Sequence, residues 1–152
     1  MLIGNGLLNI IESSLLARAK ALAGAINSTL GYNTKSVLFD DYTLEEKLPA
    51  QDIIGCWQLE VEVDDHLLSG TFLLTLSTFN DSGLFRLRNA ASLVFDGMKP
   101  MQEFNLYQPD GTQVDGTIIV MNGVKMLPVE KGDERPAKTF AIPFKCTRTI
   151  GL

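Results

Sequence analysis

A run of nine residues alternates between apolar and polar side chains, and no other feature limits the possible folds of the chain so strongly. The run extends from Cys56 to Asp64. Its apolar members are Trp57, Leu59, Val61 and Val63, and its polar members are Gln58, Glu60, Glu62 and Asp64. Successive side chains of a strand point to opposite faces of its sheet. The run therefore predicts a strand with one face against a hydrophobic core and the other in water.

The next segment predicts the partner of this strand. GTFLLTLSTF, residues 70–79, places Phe72, Leu74 and Leu76 on one face, so we expect the two strands to pair as antiparallel neighbours. The connection holds Asp64, Asp65, His66 and the pair Ser69-Gly70. Asp and Ser side chains hydrogen-bond their own backbone, and Gly accepts a positive φ, so this connection is expected to be a turn.

Two segments have the three-to-four residue spacing of helices. The apolar face of residues 7–30 is formed by Leu8, Ile11, Leu15, Ala19, Leu22 and Ile26. Asn5 is the expected cap of this helix and Gly31 its expected end. A second helix is predicted over residues 84–98, with Asp81 or Ser82 as its cap and with Gly97 and Pro100 ending it.

Further strands are predicted on both sides of the second helix. Residues 35–41 suit a short strand and residues 42–52 a loop, while residues 103–108 lead as a strand into the turn Pro109-Asp110-Gly111. Asn122-Gly123 is typical of a two-residue hairpin turn, which predicts that residues 117–121 pair with residues 124–129.

The last strand, residues 138–149, directs Phe140, Ile142, Phe144 and Cys146 to one face, and Pro143 points away from that face. Proline has no N–H to donate to a ladder, so this strand is expected to lie at an edge of the sheet or to carry a bulge at that point. The order of elements predicts an α+β fold in one domain, residues 1–152. Its largely antiparallel β-sheet carries the N-terminal helix and the second, central helix.

The chain offers little material for catalysis or metal binding. His66 is its only histidine, so a metal site would depend on carboxylates alone, and no Gly-x-Ser-x-Gly motif accompanies it. We expect no enzyme activity, no catalytic, metal or cofactor-binding residues and no cofactor. Cys56 and Cys146 are ninety positions apart, which favours reduced thiols over a disulfide framework, although one bridge is the alternative.

Charge and hydropathy limit the classes of partner that we expect the protein to bind. The net charge of -5 disfavours binding to nucleic acid or anionic lipid, since both depend on clustered Lys and Arg. No uninterrupted apolar segment approaches the roughly 18 residues that a membrane-spanning helix needs. A secretory signal is not expected either, because Gly4, Asn5 and Gly6 interrupt the apolar N-terminal residues and no basic residue precedes them.

The order of elements resembles the tail-terminator (tail completion) family of tailed bacteriophages. The resemblance lies in the N-terminal helix, the strand hairpin, a helix entered through Asp81, Ser82 and Leu84, and the closing pair of long strands. It implies a structural protein of the virion tail, assembled in the host cytoplasm into a homo-oligomeric ring, hexameric as in that family, that contacts other tail or neck proteins. A head-tail connector or a baseplate protein is the alternative within the virion.

Two functional hypotheses follow. The first is a ring whose lumen is acidic and lets DNA slide, with Glu60, Glu62, Asp64 and Asp65 as candidate lining residues. The second is a monomeric small-ligand-binding or accessory bacterial domain. Its pocket would lie between sheet and helices and be lined by Trp57, Phe72 and Phe140.

Overall fold

Two helices lie on one face of a mixed sheet, as the periodicities predict. The computed structural model describes residues 4–38, 53–64, 67–78, 81–131 and 136–147. The helices are α1 (Gly4–Leu30) and α2 (Phe85–Gly97), the second preceded by a 3₁₀ turn at Ser82–Leu84. The strands are β1 (Thr34–Leu38), β2 (Ile53–Asp64), β3 (Leu67–Thr78), β4 (Glu103–Tyr107), β5 (Gln113–Val120), β6 (Lys125–Met126), β7 (Glu130–Lys131) and β8 (Pro136–Cys146). The α+β class is confirmed.

The strands form one sheet in the order β1-β2-β3-β8-β5-β4, with β6 and β7 also paired to β8. Every pairing is antiparallel except that of β1 with β2, which is parallel. The core fills the space between the helices and the side of the sheet that carries Trp57, Phe72 and Phe140. Residues 42–52, predicted as a loop, and residues 39–41 of the first predicted strand lie outside the described residues.

Helix α1 buries a continuous apolar stripe, as predicted, and differs from the prediction at its start. Leu7, Ile11 and Leu15 are fully buried, whereas Leu8 is 39% exposed. Asn5 lies inside the helix, so its predicted role as the cap is wrong. At the other end the helix stops before Gly31, as expected, where φ is +70°.

Helix α2 begins at a buried carboxylate. Asp81 Oδ1 accepts a hydrogen bond from the N–H of Arg86 (3.1 Å), and Oδ2 accepts one from the N–H of Leu87 (2.9 Å). Thr78 donates its hydroxyl proton to the same carboxylate at 3.0 Å. Asp81 rather than Ser82 therefore caps the helix, since it satisfies N–H groups that have no partner within the first turn.

The β2–β3 hairpin is confirmed, but its turn is shorter than predicted. Asp64 pairs with Leu67, so Asp64, Ser69 and Gly70 are strand residues and only two positions remain for the connection. Gly70 is needed for close packing rather than for a turn. A Cβ atom at this position would collide with the carbonyl oxygen of Glu60 and lie 3.1 Å from Cζ of Phe144.

The predicted hairpin between residues 117–121 and 124–129 is wrong. Strands β5, β6 and β7 instead follow one another along the same edge of β8. From Val120 to Lys125 the chain advances five residues, while β8 retreats three, from Phe144 to Ala141. Asn122-Gly123 therefore marks a two-residue bulge. The positive φ that suits a hairpin turn serves the bulge equally well, with φ +96° at Gly123.

Strand β8 lies in the interior of the sheet, so the edge position, one of its two predicted alternatives, is wrong. A bulge is found at Pro143, as in the other alternative, but it lies in the facing segment between β5 and β6 and not in β8 itself. Strand β8 pairs with β3 on one side and with β5, β6 and β7 on the other. Pro143 is tolerated because of its orientation: its carbonyl accepts a hydrogen bond from Met121 N–H at 2.8 Å. In an antiparallel pair the N–H and C=O of one residue point to the same neighbour. The nitrogen of Pro143, which carries no hydrogen to donate, therefore faces the segment between β5 and β6, where the bulge already interrupts the hydrogen-bond ladder.

Candidate functional site

His66, the histidine considered above for catalysis or metal binding, lies outside the described residues, as does Asp65. Within the described ranges, no group of three or more His, Cys, Asp or Glu side chains could hold a metal ion. Cys56 and Cys146 are both buried thiols that are not joined in a disulfide. They occupy opposite faces of the sheet, because Cys146 points into the core with Phe144 while Cys56 alternates with Trp57.

The pocket expected from the sequence is filled by the core. Trp57, Phe72 and Phe140 are at most 2% exposed, and the rings of Trp57 and Phe72 are 6.0 Å apart between centroids. Such a tilted pair at this separation is a packing contact. These three residues hold the sheet to the helices, and the surface features with room for another molecule lie elsewhere.

The first such feature is the end of the β2–β3 hairpin, here called the hairpin tip and defined as residues 60–63 with Leu67. Val63 is 57% exposed and Leu67 55%. Val63 points to the helix side of the sheet with Val61, and Leu67 points to the opposite side with Glu62. Glu60 and Glu62 are both exposed. The hairpin tip is thus a two-stranded projection with an exposed apolar side chain on each face and acidic side chains next to these apolar groups.

The hairpin tip extends past the strands that flank it. Strand β1 pairs with β2 only as far as Trp57, and β8 pairs with β3 only as far as Ser69 opposite Lys145. From Gln58 onward, the outer edge of β2 meets no other described strand. A projecting edge with exposed apolar side chains is a surface that other chains can cover.

The second feature is a groove of about 540 Å³ between α2 and the segment that carries β6 and β7, here called the α2 groove. Its apolar lining consists of Leu87, Ala91, Phe95, Met126 and Val129. Leu87 and Ala91 form a buried floor, whereas Phe95 and Met126 are 36% and 48% exposed. The groove therefore has an apolar floor and two apolar side chains that face solvent.

The rim of the α2 groove carries charged residues of both signs. Arg88, Asp96 and Lys138 line it together with Ser92. The carboxylate of Asp96 lies 3.5 Å from the ammonium of Lys99, one turn further along the chain. Because the charge of Asp96 is already compensated by Lys99, Arg88 and Lys138 give the described residues of the rim a net positive charge.

The hairpin tip and the α2 groove lie at opposite ends of the sheet. Lys138, in the groove, is opposite Leu76 on β3, whereas the tip lies beyond Ser69 on the same strand. Nine residue steps separate Leu67 from Leu76, which amounts to about 30 Å at about 3.3 Å per residue. The tip therefore cannot reach the groove of its own subunit.

A third feature is a groove of about 560 Å³ between α1 and the turn that joins β4 to β5, here called the α1 groove. Glu12, Lys20 and Tyr107 contribute polar groups to it, and Leu16 and Pro109 contribute apolar surface. This was not among the sites expected from the sequence. Its residues come from segments about ninety positions apart, which no local pattern relates.

The charged side chain of Arg18 holds secondary-structure elements together and lines neither of the two grooves. Its Nη2 donates a hydrogen bond to the carbonyl of Gly97 at 2.5 Å, and its guanidinium lies 5.7 Å from the centre of the Phe104 ring. Burial lowers the pKa of Arg18 below its ordinary value. The contact joins α1 to the end of α2 and to β4, so it fixes the helix that forms one wall of the α2 groove.

Comparisons with known proteins add evidence on the fold. No family model and no curated protein sequence matches the chain. One solved structure aligns with 93% of this chain and 96% of its own, with a TM-score of 0.63 and 11% sequence identity. At that identity the likeness shows a shared fold and nothing about activity. Among the described helices, none has the length and hydropathy required to span a membrane.

Proposed function

We propose that this protein is a non-enzymatic structural subunit of a phage virion tail that acts by oligomerising into a ring. The observation that carries the proposal is the presence of two exposed apolar surfaces, the hairpin tip and the α2 groove, at opposite ends of one sheet. Two different surfaces at opposite ends suit a heterologous contact. When such a contact is repeated with the right rotation, it closes into a ring.

The apolar side chains concerned are large enough to matter for association. Val63, Leu67, Phe95 and Met126 are each between 36% and 57% exposed. Full burial of such a side chain contributes about 1.5–3 kcal/mol, so covering the exposed part of each is favourable by a fraction of that. A monomer would leave this surface in water, and clustered exposure of this kind marks contact sites.

The order of elements supports the virion tail as the setting. Helix α1, the β2–β3 hairpin and α2 entered through Asp81 and Ser82 follow one another in the order of the tail-terminator resemblance. The closing pair of long strands differs, since β8 follows β6 and β7, which have only two residues each. Within that setting we propose a tail terminator, or else a head-tail connector or baseplate protein. Its partners are further copies of itself and other tail or neck proteins.

The proposal is tested by the oligomeric state of the purified protein and of the variant Val63→Asp. Light scattering and negative-stain electron microscopy over a concentration series should reveal closed rings of the native protein. A carboxylate at position 63 would have to be desolvated in the contact, so we expect the association constant to fall at least about tenfold, or about 1.4 kcal/mol.

The matched control is Thr112→Asp, because Thr112 is exposed at the same end of the sheet but belongs to the β4–β5 turn. We expect this variant to form rings as the native protein does. A native protein that stays monomeric at every concentration would contradict the proposed function.

A second candidate is a monomeric domain that binds a small ligand, and the α1 groove favours it. That groove has the size of a small-molecule site and combines Glu12 and Lys20 with the hydroxyl-bearing side chain of Tyr107. This candidate predicts a monomer whose melting temperature rises in the presence of one metabolite. The replacement Lys20→Ala should abolish that rise, whereas Val63→Asp should leave it unchanged.

A further inference from the structure

We infer that the hairpin tip of one copy inserts into the α2 groove of a second copy, which makes this pair of surfaces the repeating contact of the assembly. The inference rests on the proposed function and deepens it by naming the partner surfaces. Val63 and Leu67 would contact Phe95 and Met126, and Glu62 would face Arg88. The partner is another copy of this chain rather than a different protein.

Shape is the first argument. The hairpin tip is two strands wide and exposes one apolar side chain on each face, so a groove with two walls buries both. The α2 groove has such walls, one formed by α2 with Phe95 and the other by the β6 segment with Met126. A flat surface would cover only one face of the tip and leave the other in water.

Charge is the second argument. The tip brings Glu60 and Glu62, which are both exposed. The described rim of the groove brings Arg88 and Lys138, and the acid among these described lining residues, Asp96, already has Lys99 at 3.5 Å. Opposite charges therefore meet when the tip enters the groove. Two tips or two grooves placed against each other would bring like charges together.

Position is the third argument. The two surfaces are separated by about 30 Å along the sheet, at about 3.3 Å per residue, so each subunit presents its tip at one end and its groove at the other. Such a subunit can receive one neighbour and reach the next at the same time. A contact between identical surfaces would stop at a dimer.

Disulfide cross-linking between variants that each carry one added cysteine tests the contact directly. A mixture of Val63→Cys and Met126→Cys proteins should form a cross-linked dimer under mild oxidation, whereas each variant alone should form none. The native thiols are suited to this experiment because Cys56 and Cys146 are both buried. The control is a mixture of Thr112→Cys and Met126→Cys proteins. Its first cysteine lies in the β4–β5 turn, at the same end of the sheet as the hairpin tip but outside the proposed contact, so this mixture should form no cross-linked dimer.

Exchange of charges provides an independent readout. The single changes Glu62→Arg and Arg88→Glu should each weaken self-association about three- to tenfold in sedimentation experiments. The two changes together in one chain should restore it to within about threefold. If Glu62 lined the lumen of a ring instead, neither change would alter the association constant, and the inference would be overturned.

The possible outcomes separate this inference from the proposed function. Rings that form without a Val63–Met126 cross-link would overturn the contact but leave the ring intact as a proposal. Cross-links within the Val63→Cys protein alone would also overturn it. A protein that is monomeric throughout and gives no cross-link would contradict both.

Discussion

At the scale of single residues, Asp81 shows how one carboxylate can start a helix. Its side chain is only 3% exposed, and burial alone would raise its pKa. Hydrogen bonds from the backbone N–H groups of Leu87 and Arg86, the hydroxyl of Thr78 and the charge of Arg86 outweigh burial and lower the pKa below the ordinary value of 3.8. The folded protein therefore stabilises the ionised form.

This shift predicts a pH-dependent contribution to stability. Because the folded pKa is below the unfolded one, the contribution is complete at pH values above 3.8 and is lost as the pH falls through the folded pKa. We expect Asp81→Asn to lower the free energy of unfolding by about 1–2 kcal/mol at pH 7, since an amide can accept only some of these hydrogen bonds.

Urea unfolding of both proteins at pH 7 and pH 3 checks this expectation, and the difference between them should shrink at pH 3. The control is Asp96→Asn near the end of α2, where the side chain is 64% exposed and we expect a change below about 0.5 kcal/mol. A difference for Asp81→Asn that is the same at both pH values would contradict the assignment.

At the scale of elements, the bulge between β5 and β6 allows a proline in the interior of the sheet. The two extra residues, Asn122 and Gly123, interrupt the ladder beside Pro143, which has no N–H to contribute. The conformation of the bulge depends on Gly123, with φ +96°. A side chain at this position meets no neighbouring atom, so the cost of adding one comes from the backbone.

Two glycine replacements are expected to have opposite effects. Gly123→Ala should lower the free energy of unfolding by about 1–2 kcal/mol, because an L residue with a Cβ resists this φ. Gly24→Ala should raise it by about 0.5–1 kcal/mol, because Gly24 is an exposed interior residue of α1 with open space around it. Thermal and urea denaturation measure both, and effects of the same sign would contradict this account of the bulge.

The sequence predicts elements whose pattern is local and misplaces those whose position depends on distant partners. The alternation of β2 and β3 and the spacing of α1 are properties of neighbouring residues, so both were predicted correctly. The neighbours of β8 include β3, 60 to 76 positions earlier, and β5, 24 to 28 positions earlier, and the proline in β8 favoured an edge. The pair Asn122-Gly123 predicts a positive φ, but this conformation occurs in hairpin turns and in bulges alike, so the pair does not distinguish between them.

The candidate surfaces were only partly predictable for the same reason. The apolar face of β2 was identified, but nothing in the alternation reveals that the core ends before Val63, which is 57% exposed. Helical spacing groups Phe95 with the apolar residues of α2 such as Val94, whereas the structure leaves it 36% exposed in the wall of the α2 groove. The groove itself depends on β6, which the predicted hairpin placed against β5.

At the scale of the whole molecule, self-association should stabilise the fold. A contact made only by folded subunits shifts the unfolding equilibrium by mass action, so the melting temperature of the native protein should rise with protein concentration. The rise should be smaller or absent for Val63→Asp, since this variant lacks the contact. Differential scanning calorimetry over a hundredfold concentration range measures both, and a native melting temperature independent of concentration would contradict assembly.

The interior position of β8 also bears on how the molecule is made. Among the described strands, β8 is the last to be synthesised, yet the half of the sheet with β1, β2 and β3 joins the half with β4 and β5 only through it. At about 5–20 residues per second, the earlier strands wait on the ribosome for seconds with unpaired edges. A nascent chain therefore cannot complete its sheet early. Under the proposed function, a newly made subunit would become competent to join its neighbours only once translation has delivered this strand.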